Sequence, residues 1–216
     1  MSELQDESLT AALARYNLVL PESQVVLLDQ YCQRLWDWNT KLNLTRHTDY
    51  GKFVSRDLVD SLEIGRLLEP GQRVLDVGTG GGVPGIVLAI LRPDLRIALC
   101  ESVGKKVRVL EDILCGLGLA LPVHHERAEK VVPQIRFDVL VARAVGPLWK
   151  ICKWFQPHWS EFGYLLAVKG PRWVEERGEA RHRGLMNAIE LRKAASYPMP
   201  GTDSESVILK LRLRTE

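Results

Sequence analysis

The chain has 216 residues, enough to bury a sizeable core in one large domain, or in one domain with a small appendage. Lys and Arg number 29 against 27 Asp and Glu, and this net charge of +2 excludes the global basic field typical of many nucleic-acid-binding proteins. The four cysteines show no Cys-x-x-Cys or Cys/His ligand spacing, which argues against a metal site: Cys32, Cys100, Cys115 and Cys152.

The N-terminus predicts a cytoplasmic protein. Residues 1–7 are acidic and lack the basic and apolar regions of a signal peptide. The longest apolar run, Val83 to Leu91, is too short to span a bilayer. We therefore expect a soluble protein with reduced thiols and no membrane contact.

Residues 7–70 have a helical pattern. Apolar side chains recur at three- and four-residue steps on a long helix that begins near Pro21 and ends near Asn43. A further helix is predicted from Tyr50 to Leu68, where Pro70-Gly71 stops it. Residues 1–70 are therefore expected to form a helical region packed on the remainder of the chain.

From Gln72 onward, short β-rich runs alternate with segments of helical pattern. The predicted strands are Arg73–Val77, Arg96–Cys100, Leu121–His125, Phe137–Ala142, Gly163–Val168, Ala188–Ser196 and Ser206–Arg214. The predicted helices are Ile86–Leu91, Lys105–Leu117, Arg127–Val131, Leu148–Phe155 and Trp173–Asn187.

This alternation indicates an α/β fold. Strands separated by helices pair in parallel through right-handed crossovers, whereas the last two strands have no helix between them and should pair antiparallel. By analogy, five parallel strands closed by an antiparallel hairpin match the Rossmann-like, seven-stranded class I methyltransferase sheet. Residues 71–216 would form that domain and bind S-adenosylmethionine, with residues 1–70 as an N-terminal helical extension.

A glycine-rich loop follows the first predicted strand. Gly78, Gly80 and Gly82 permit positive φ and close approach of a ligand, and the next helix offers unpaired N–H groups. The spacing also fits the dinucleotide fingerprint, so the glycines alone leave S-adenosylmethionine, NAD and a loop without ligand open. Asp76 favours S-adenosylmethionine, because a carboxylate at this place suits an ammonium and a sulfonium but repels a pyrophosphate.

Other acids follow the second and third strands. Glu101 could accept hydrogen bonds from both hydroxyls of an adenosine ribose, or could be a surface carboxylate paired with Lys105 or Lys106. Ala128 and Glu129 could line the adenine end, although an acid there also suits a helix N-terminus.

Missing motifs narrow the chemistry. The chain contains neither an acceptor-Pro-Pro-aromatic tetrad for amine methylation nor a Pro-Cys dipeptide for a cysteine nucleophile. The acceptor is therefore expected to be an atom that already carries a lone pair, for which positioning supplies most of the rate and no base is needed. No catalytic residue is identified with certainty.

Most residues of a basic cluster follow the carboxyl ends of predicted strands, where they would suit a substrate with phosphates. Each of them singly could be a solvated charge. The cluster comprises Arg46, Lys52, Arg56, Lys105, Lys106, Arg143, Lys169 and Arg172.

Seven ordered motifs resemble the RsmG (GidB) methyltransferases from about residue 10 to the C-terminus. They are Asn43-Leu44-Thr45, Arg56-Asp57-Leu58-Val59-Asp60-Ser61, Asp76–Ile86, Glu101-Ser102-x-x-Lys105-Lys106, Arg127-Ala128-Glu129, Ala142-Arg143-Ala144 and Val168-Lys169-Gly170.

The resemblance implies methylation of guanine N7 in 16S rRNA, at the nucleotide that the family numbers 527, with the small ribosomal subunit or an assembly intermediate as partner. It places the cofactor on Gly78, Val83, Ala128, Glu129 and Arg143, with Glu101 on the ribose. The substrate residues expected from the motifs and the basic cluster are Asn43, Arg56, Lys105, Lys106 and Lys169. Arg143 or Lys169 is expected to position the substrate by approaching O6 or a phosphate, which leaves N7 free.

Two departures from the family pattern bear on substrate recognition. The family commonly has His after the arginine that aligns with Arg56, where this chain has Asp57, and a Glu-Arg pair where this chain has Asp203-Ser204-Glu205.

The alternative functions are a methyltransferase of another RNA or small molecule, an NAD-dependent oxidoreductase, and a non-catalytic cofactor- or RNA-binding module. A monomer is expected.

Overall fold

The computed structural model describes residues 8–214, so the acidic residues 1–7, on which the expectation of no signal peptide rested, lie outside it. The chain begins with helices α1 (Leu9–Arg15) and α2 (Glu22–Asn39). A continuous helical stretch follows, made of α3 (Tyr50–Lys52), a π-helical segment (Phe53–Leu58) and α4 (Val59–Gly65). None of the helices within residues 8–214 is long and apolar enough to cross a membrane.

The long helix α2 has the predicted apolar stripe, with Leu28, Tyr31, Cys32 and Leu35 buried. It ends earlier than predicted. The side-chain oxygen of Asn39 accepts hydrogen bonds from the backbone N–H groups of residues 44 and 45, at 2.8 and 3.0 Å. These bonds fold residues 40–45 back against the helix end, so the segment leaves the helix.

Seven strands form a single sheet with the order β3-β2-β1-β4-β5-β7-β6. The strands are β1 (Arg73–Val77), β2 (Arg96–Cys100), β3 (Val123–His124), β4 (Phe137–Arg143), β5 (Phe162–Lys169), β6 (Ile189–Pro198) and β7 (Glu205–Leu213). Strands β1 to β5 pair in parallel, whereas β7 pairs antiparallel with both β5 and β6. The predicted mostly parallel sheet with its antiparallel C-terminal hairpin is confirmed.

The helices that connect the strands are α5 (Gly85–Leu91), α6 (Gly104–Leu117), α7 (Ala128–Val131), α8 (Leu148–Phe155) and α9 (Trp173–His182). Helix α9 ends five residues before the predicted Asn187. Gly184 at φ +71° takes the left-handed conformation that closes a helix.

The two faces of the sheet bury separate apolar clusters because successive side chains on a strand point to opposite sides. Val74 of β1 lies in the cluster that includes α1, α2, α5 and α6, whereas its neighbour Leu75 lies in the cluster that includes α8 and Ala180 of α9. The N-terminal helices therefore share a core with the sheet, and they cover the face next to the glycine loop.

Candidate functional site

The sheet order reverses at β1, because β2 lies on one side of this strand and β4 on the other. In open parallel sheets, ligands bind in the crevice outside the carboxyl ends of the strands at such a reversal. The glycine loop, residues 78–82, leaves β1 at this point.

Backbone hydrogen bonds hold the glycine loop against β2. The N–H groups of Gly78 and Thr79 both donate to the carbonyl oxygen of Cys100, at 2.9 and 3.1 Å. Gly78 has φ +65°, and a Cβ at this position would lie 2.8 Å from Cγ1 of Val145. Only glycine fits here, since both the backbone conformation and the space exclude a side chain. Gly80 and Gly82 also have the expected positive φ.

Asp76 lies beneath the glycine loop and is fully buried. Its Oδ2 accepts hydrogen bonds from the hydroxyl of Thr79 (2.5 Å) and the N–H of Gly85 (2.8 Å), so it ties β1 to both the loop and α5. Burial raises the pKa of Asp76 to about 6, although the two hydrogen bonds lower it. Asp76 therefore supports the loop, and its contact with a bound cofactor stays a prediction.

Glu101 is buried at the end of β2. One carboxylate oxygen accepts a hydrogen bond from the N–H of Gly80 at 3.1 Å, and the other from the N–H of Val103 at 2.9 Å. Within the described residues Glu101 makes no ion pair with Lys105 or Lys106, contrary to the alternative interpretation. Since a carboxylate oxygen can accept more than one hydrogen bond, Glu101 keeps capacity for a ligand.

Two cavities adjoin at the glycine loop. The first, here called the strand-side cavity, has a volume of about 430 Å³ and is lined by Val77, Gly78, Cys100, Ser102, Lys106, Glu126, Arg127, Ala128, Glu129, Ala144, Val145, Lys150 and Trp154. The second, called the helix-side cavity, has a volume of about 410 Å³ and is lined by Leu35, Leu44, Thr45, Arg46, His47, Asp57, Gly78, Thr79, Gly80, Gly81, Val83, Lys106, Arg143 and Ala144. Gly78, Lys106 and Ala144 line both cavities.

Arg143, at the end of β4, lines the helix-side cavity and is held by carboxylates of the N-terminal helices. Its Nη2 donates to Oδ1 of Asp57 at 2.5 Å, and its Nε donates to Oδ2 of Asp60 at 2.7 Å. Burial opposes the charge, but Asp57 and Asp60 raise the pKa of Arg143 above its ordinary value. Within residues 8–214, the remaining nitrogen, Nη1, has no hydrogen-bond partner.

Lys169 is buried at the end of β5 and lines neither cavity. Its Nζ donates to the carbonyl oxygen of Gly146 at 2.5 Å and pairs with Oε2 of Glu176 at 2.8 Å. The same oxygen of Glu176 accepts from the N–H of Leu148. Lys169 thus fixes the loop that follows β4, and its predicted approach to a substrate stays a prediction that this position does not favour.

Only some of the other site residues predicted from the sequence line the two cavities. Val83, Ala128, Glu129 and Lys106 line the cavities, whereas Asn43, Arg56, Lys105 and Gly82 do not. Lys105 is exposed next to Lys106, and Nη1 of Arg56 is buried with no hydrogen-bond partner in the described part of the chain. Gly82 instead packs against Ile86, since a Cβ there would lie 2.6 Å from its Cδ1.

His47 is a cavity residue that the sequence did not reveal. Its Nδ1 lies 2.8 Å from Oδ1 of Asp57. Nine residues separate the two in the chain, and only the fold brings them together. Among residues 8–214, no group of three or more His, Cys, Asp or Glu side chains could hold a metal ion.

Comparison with known proteins shows which family the chain is similar to. Residues 24–199 match the GidB family, described as rRNA small subunit methyltransferase G. A ribosomal RNA small subunit methyltransferase G of Rhodopirellula baltica is 50% identical over 194 residues, which cover 90% of this chain and 84% of the relative. The protein of the same name from Chromobacterium violaceum is 35% identical, with 98% of this chain and 99% of the relative covered.

Solved structures agree with the fold. The structure of MtNAS in complex with MTA and tNA superposes with a TM-score of 0.59 at 16% identity, covering 96% of this chain and 76% of that one. At this identity the likeness supports the architecture of the sheet alone.

Proposed function

This chain belongs to the rRNA small subunit methyltransferase G family, and we propose that its acceptor is N7 of a guanine in 16S rRNA, the nucleotide that the family numbers 527. The enzyme is a methyltransferase with S-adenosylmethionine as its cofactor. The alternative of an NAD-dependent oxidoreductase is thereby set aside.

The strand-side cavity fits the nucleoside part of S-adenosylmethionine. Its volume of about 430 Å³ lies within the range of about 300–1,000 Å³ that small-molecule sites occupy. Gly78 lines this cavity without a side chain, so its backbone can approach a ligand. Ala128 and Glu129 line this cavity and would face the adenine end. Glu101 lines neither cavity, but its neighbours Cys100 and Ser102 line this one, and its carboxylate would accept the ribose hydroxyls.

The methionine part would extend past Gly78 toward Val83 and Arg143. Nη1 of Arg143, which has no partner in residues 8–214, can donate to a carboxylate there. When bound, the cofactor supplies an electrophilic methyl group on a sulfonium.

The helix-side cavity fits the guanine nucleotide. Leu35, Leu44 and Val83 provide apolar wall for a base. Arg46 and Lys106 line the same cavity and make no ion pair within the described residues, so they can pair with phosphates. Because the net charge of +2 provides no global basic field, we propose this cavity as the local site that binds the RNA.

Guanine N7 already carries a lone pair and no proton, so the chain does not need to supply a base. The protein's part is to orient the base, exclude water and keep cations away from N7, because the methylated ring is itself positive. Arg143 suits this requirement, since Asp57 and Asp60 already pair with it. Lys169 lies outside both cavities.

The observation that carries the proposal is the contact between the two cavities. Because Gly78, Lys106 and Ala144 line both, a cofactor in the strand-side cavity can meet an acceptor in the helix-side cavity without a covalent intermediate on the protein.

The test uses the purified full chain with small ribosomal subunits from a strain that lacks this enzyme. Incubation with S-adenosylmethionine followed by nuclease digestion and mass spectrometry should detect 7-methylguanosine in one fragment of 16S rRNA. A methylated base of another kind, or no product with either subunits or free rRNA, would reject the proposed acceptor.

We propose that the enzyme acts in the cytoplasm, with the small subunit or an assembly intermediate as its partner. We expect it to act as a monomer, because one chain supplies both cavities. Sedimentation at working concentration tests that expectation.

A further inference from the structure

His47 lies in the segment between α2 and α3 and is held at three points. Its ring Nδ1 lies 2.8 Å from Oδ1 of Asp57. Its backbone N–H donates to the hydroxyl of Thr45 at 3.0 Å, and its carbonyl oxygen accepts from the indole N–H of Trp36 at 2.8 Å. The imidazole is thus fixed by both backbone and side chain while lining the helix-side cavity.

The partner of Nδ1 decides the tautomer. An ionised carboxylate only accepts hydrogen bonds, so Nδ1 must carry a proton to pair with Asp57. Arg143 donates to the same oxygen of Asp57, which keeps that oxygen an acceptor. In neutral His47 the lone pair therefore lies on Nε2, which has no partner in residues 8–214.

We propose that His47 is a specificity-determining residue, whose Nε2 accepts a hydrogen bond from the N1–H and N2–H₂ edge of the target guanine, with Asp57 as its positioning residue. This inference rests on the proposed function. Guanine presents donors on that edge, whereas its N7 and O6 are acceptors. An acceptor at His47 therefore binds the edge away from N7 and leaves N7 toward the strand-side cavity.

The same acceptor discriminates against adenine. Adenine has a lone pair at N1 where guanine has a hydrogen, so the lone pair of Nε2 would face another lone pair. A site built to pair with a donor rejects a base that lacks it, because its own polar group is left unpaired. Asp57, at which the chain departs from the family pattern, fixes the orientation of the His47 ring through the contact with Nδ1.

Two substitutions separate base recognition from a structural role. His47→Asn keeps an N–H near the position of Nδ1, so it can still pair with Asp57, but it loses the acceptor at Nε2. His47→Gln places an amide near Nε2 and gives up the bond to Asp57. Methyl transfer to small subunits is measured at the same pH for the wild type and both variants.

We expect His47→Asn to lower kcat/KM for small subunits about tenfold, and His47→Gln to recover a large part of that loss. The affinity for S-adenosylhomocysteine, measured by titration calorimetry, should be unchanged in both variants. A purely structural role predicts the reverse order, with the asparagine variant active and the glutamine variant impaired, and that result would overturn the proposal.

The wild-type enzyme in the same assay reports on the proposed function independently. If it forms no 7-methylguanosine, the proposed function fails. If it does and both His47 variants match its kcat/KM, only the role of His47 is rejected.

Discussion

Arg143 donates a hydrogen bond from Nε to Oδ2 of Asp60 across 2.7 Å, and this contact joins the end of β4 to helix α4. The hydroxyl of Tyr197 on β6 donates to the other oxygen of Asp60, also at 2.7 Å. The side chains of Arg143 and Asp60 are 15% and 9% exposed, so little water screens the pair. The N-terminal helices are thus attached to the carboxyl edge of the sheet by a buried charge.

Removing one member of this pair should destabilise the protein strongly. We expect Asp60→Ala to lower the free energy of unfolding by about 2–3 kcal/mol, because Arg143 keeps one buried carboxylate instead of two and the hydroxyl of Tyr197 loses its acceptor. Urea denaturation measures the effect. Glu179→Ala, which removes an exposed partner of Arg183, is the control and should cost less than about 1 kcal/mol. Equal effects of the two substitutions would contradict the buried-pair interpretation.

Asp76 should make stability depend on pH between about 4 and about 6. Its pKa in the folded state is raised to about 6 by burial, whereas an unfolded Asp titrates near about 3.9. The folded protein therefore holds a proton that the unfolded chain loses, and the contribution of Asp76 falls as pH rises through this window. As the pH rises from about 4 to about 7, we expect the free energy of unfolding of the wild type to fall by about 3 kcal/mol relative to that of Asp76→Asn. A difference that stays constant with pH would refute the shift.

Gly78→Ala should impair cofactor binding as well as stability. Gly78 lines both cavities at a φ of +65°, and the added Cβ would lie 2.8 Å from Cγ1 of Val145, which lines the strand-side cavity. We expect a cost of about 1–2 kcal/mol in the free energy of unfolding and at least about a tenfold weaker affinity for S-adenosylhomocysteine by calorimetry.

Gly118 provides the matched control. It has φ +66° with nothing within 4 Å of an added Cβ, and it ends helix α6. Gly118→Ala should therefore show the backbone cost of about 1 kcal/mol with unchanged affinity for S-adenosylhomocysteine. Weakened binding in this variant would mean that stability, rather than the cavity wall, controls the affinity.

Lys106 and Lys105 are adjacent, but only Lys106 lines the cavities. We expect Lys106→Ala to raise KM for small subunits about tenfold and to reduce the slope of log affinity against log salt by about 1, as loss of one phosphate contact does. Lys105→Ala should change KM less than about twofold, since its side chain is exposed outside the cavities. Equal KM values for the two variants would contradict a direct phosphate contact of Lys106 and would show that both lysines act only through the local electrostatic field.

Much of the fold followed from local patterns. Strand β1 and strand β2 have the predicted limits, since a buried parallel strand is a short apolar run that the glycine loop or a turn interrupts. Strand β3 is shorter than predicted and comprises only Val123–His124. The local sequence around Pro122 does not show how far the pairing with β2 extends, because that depends on the neighbouring strand.

The sequence by itself determined the seven-stranded sheet and the glycine loop, because periodicity and the conformational freedom of glycine are local properties. Of the residues that line the strand-side cavity, it named Gly78, Lys106, Ala128 and Glu129. Only the tertiary structure decided which charges remain available to a ligand. Asp57 and Asp60 neutralise Arg143 across more than eighty residues, and Glu176 holds Lys169, whereas Lys106 stays open to both cavities. Such pairings depend on distances of a few ångströms in the folded chain, and Coulomb energy and desolvation act through those distances rather than through sequence spacing.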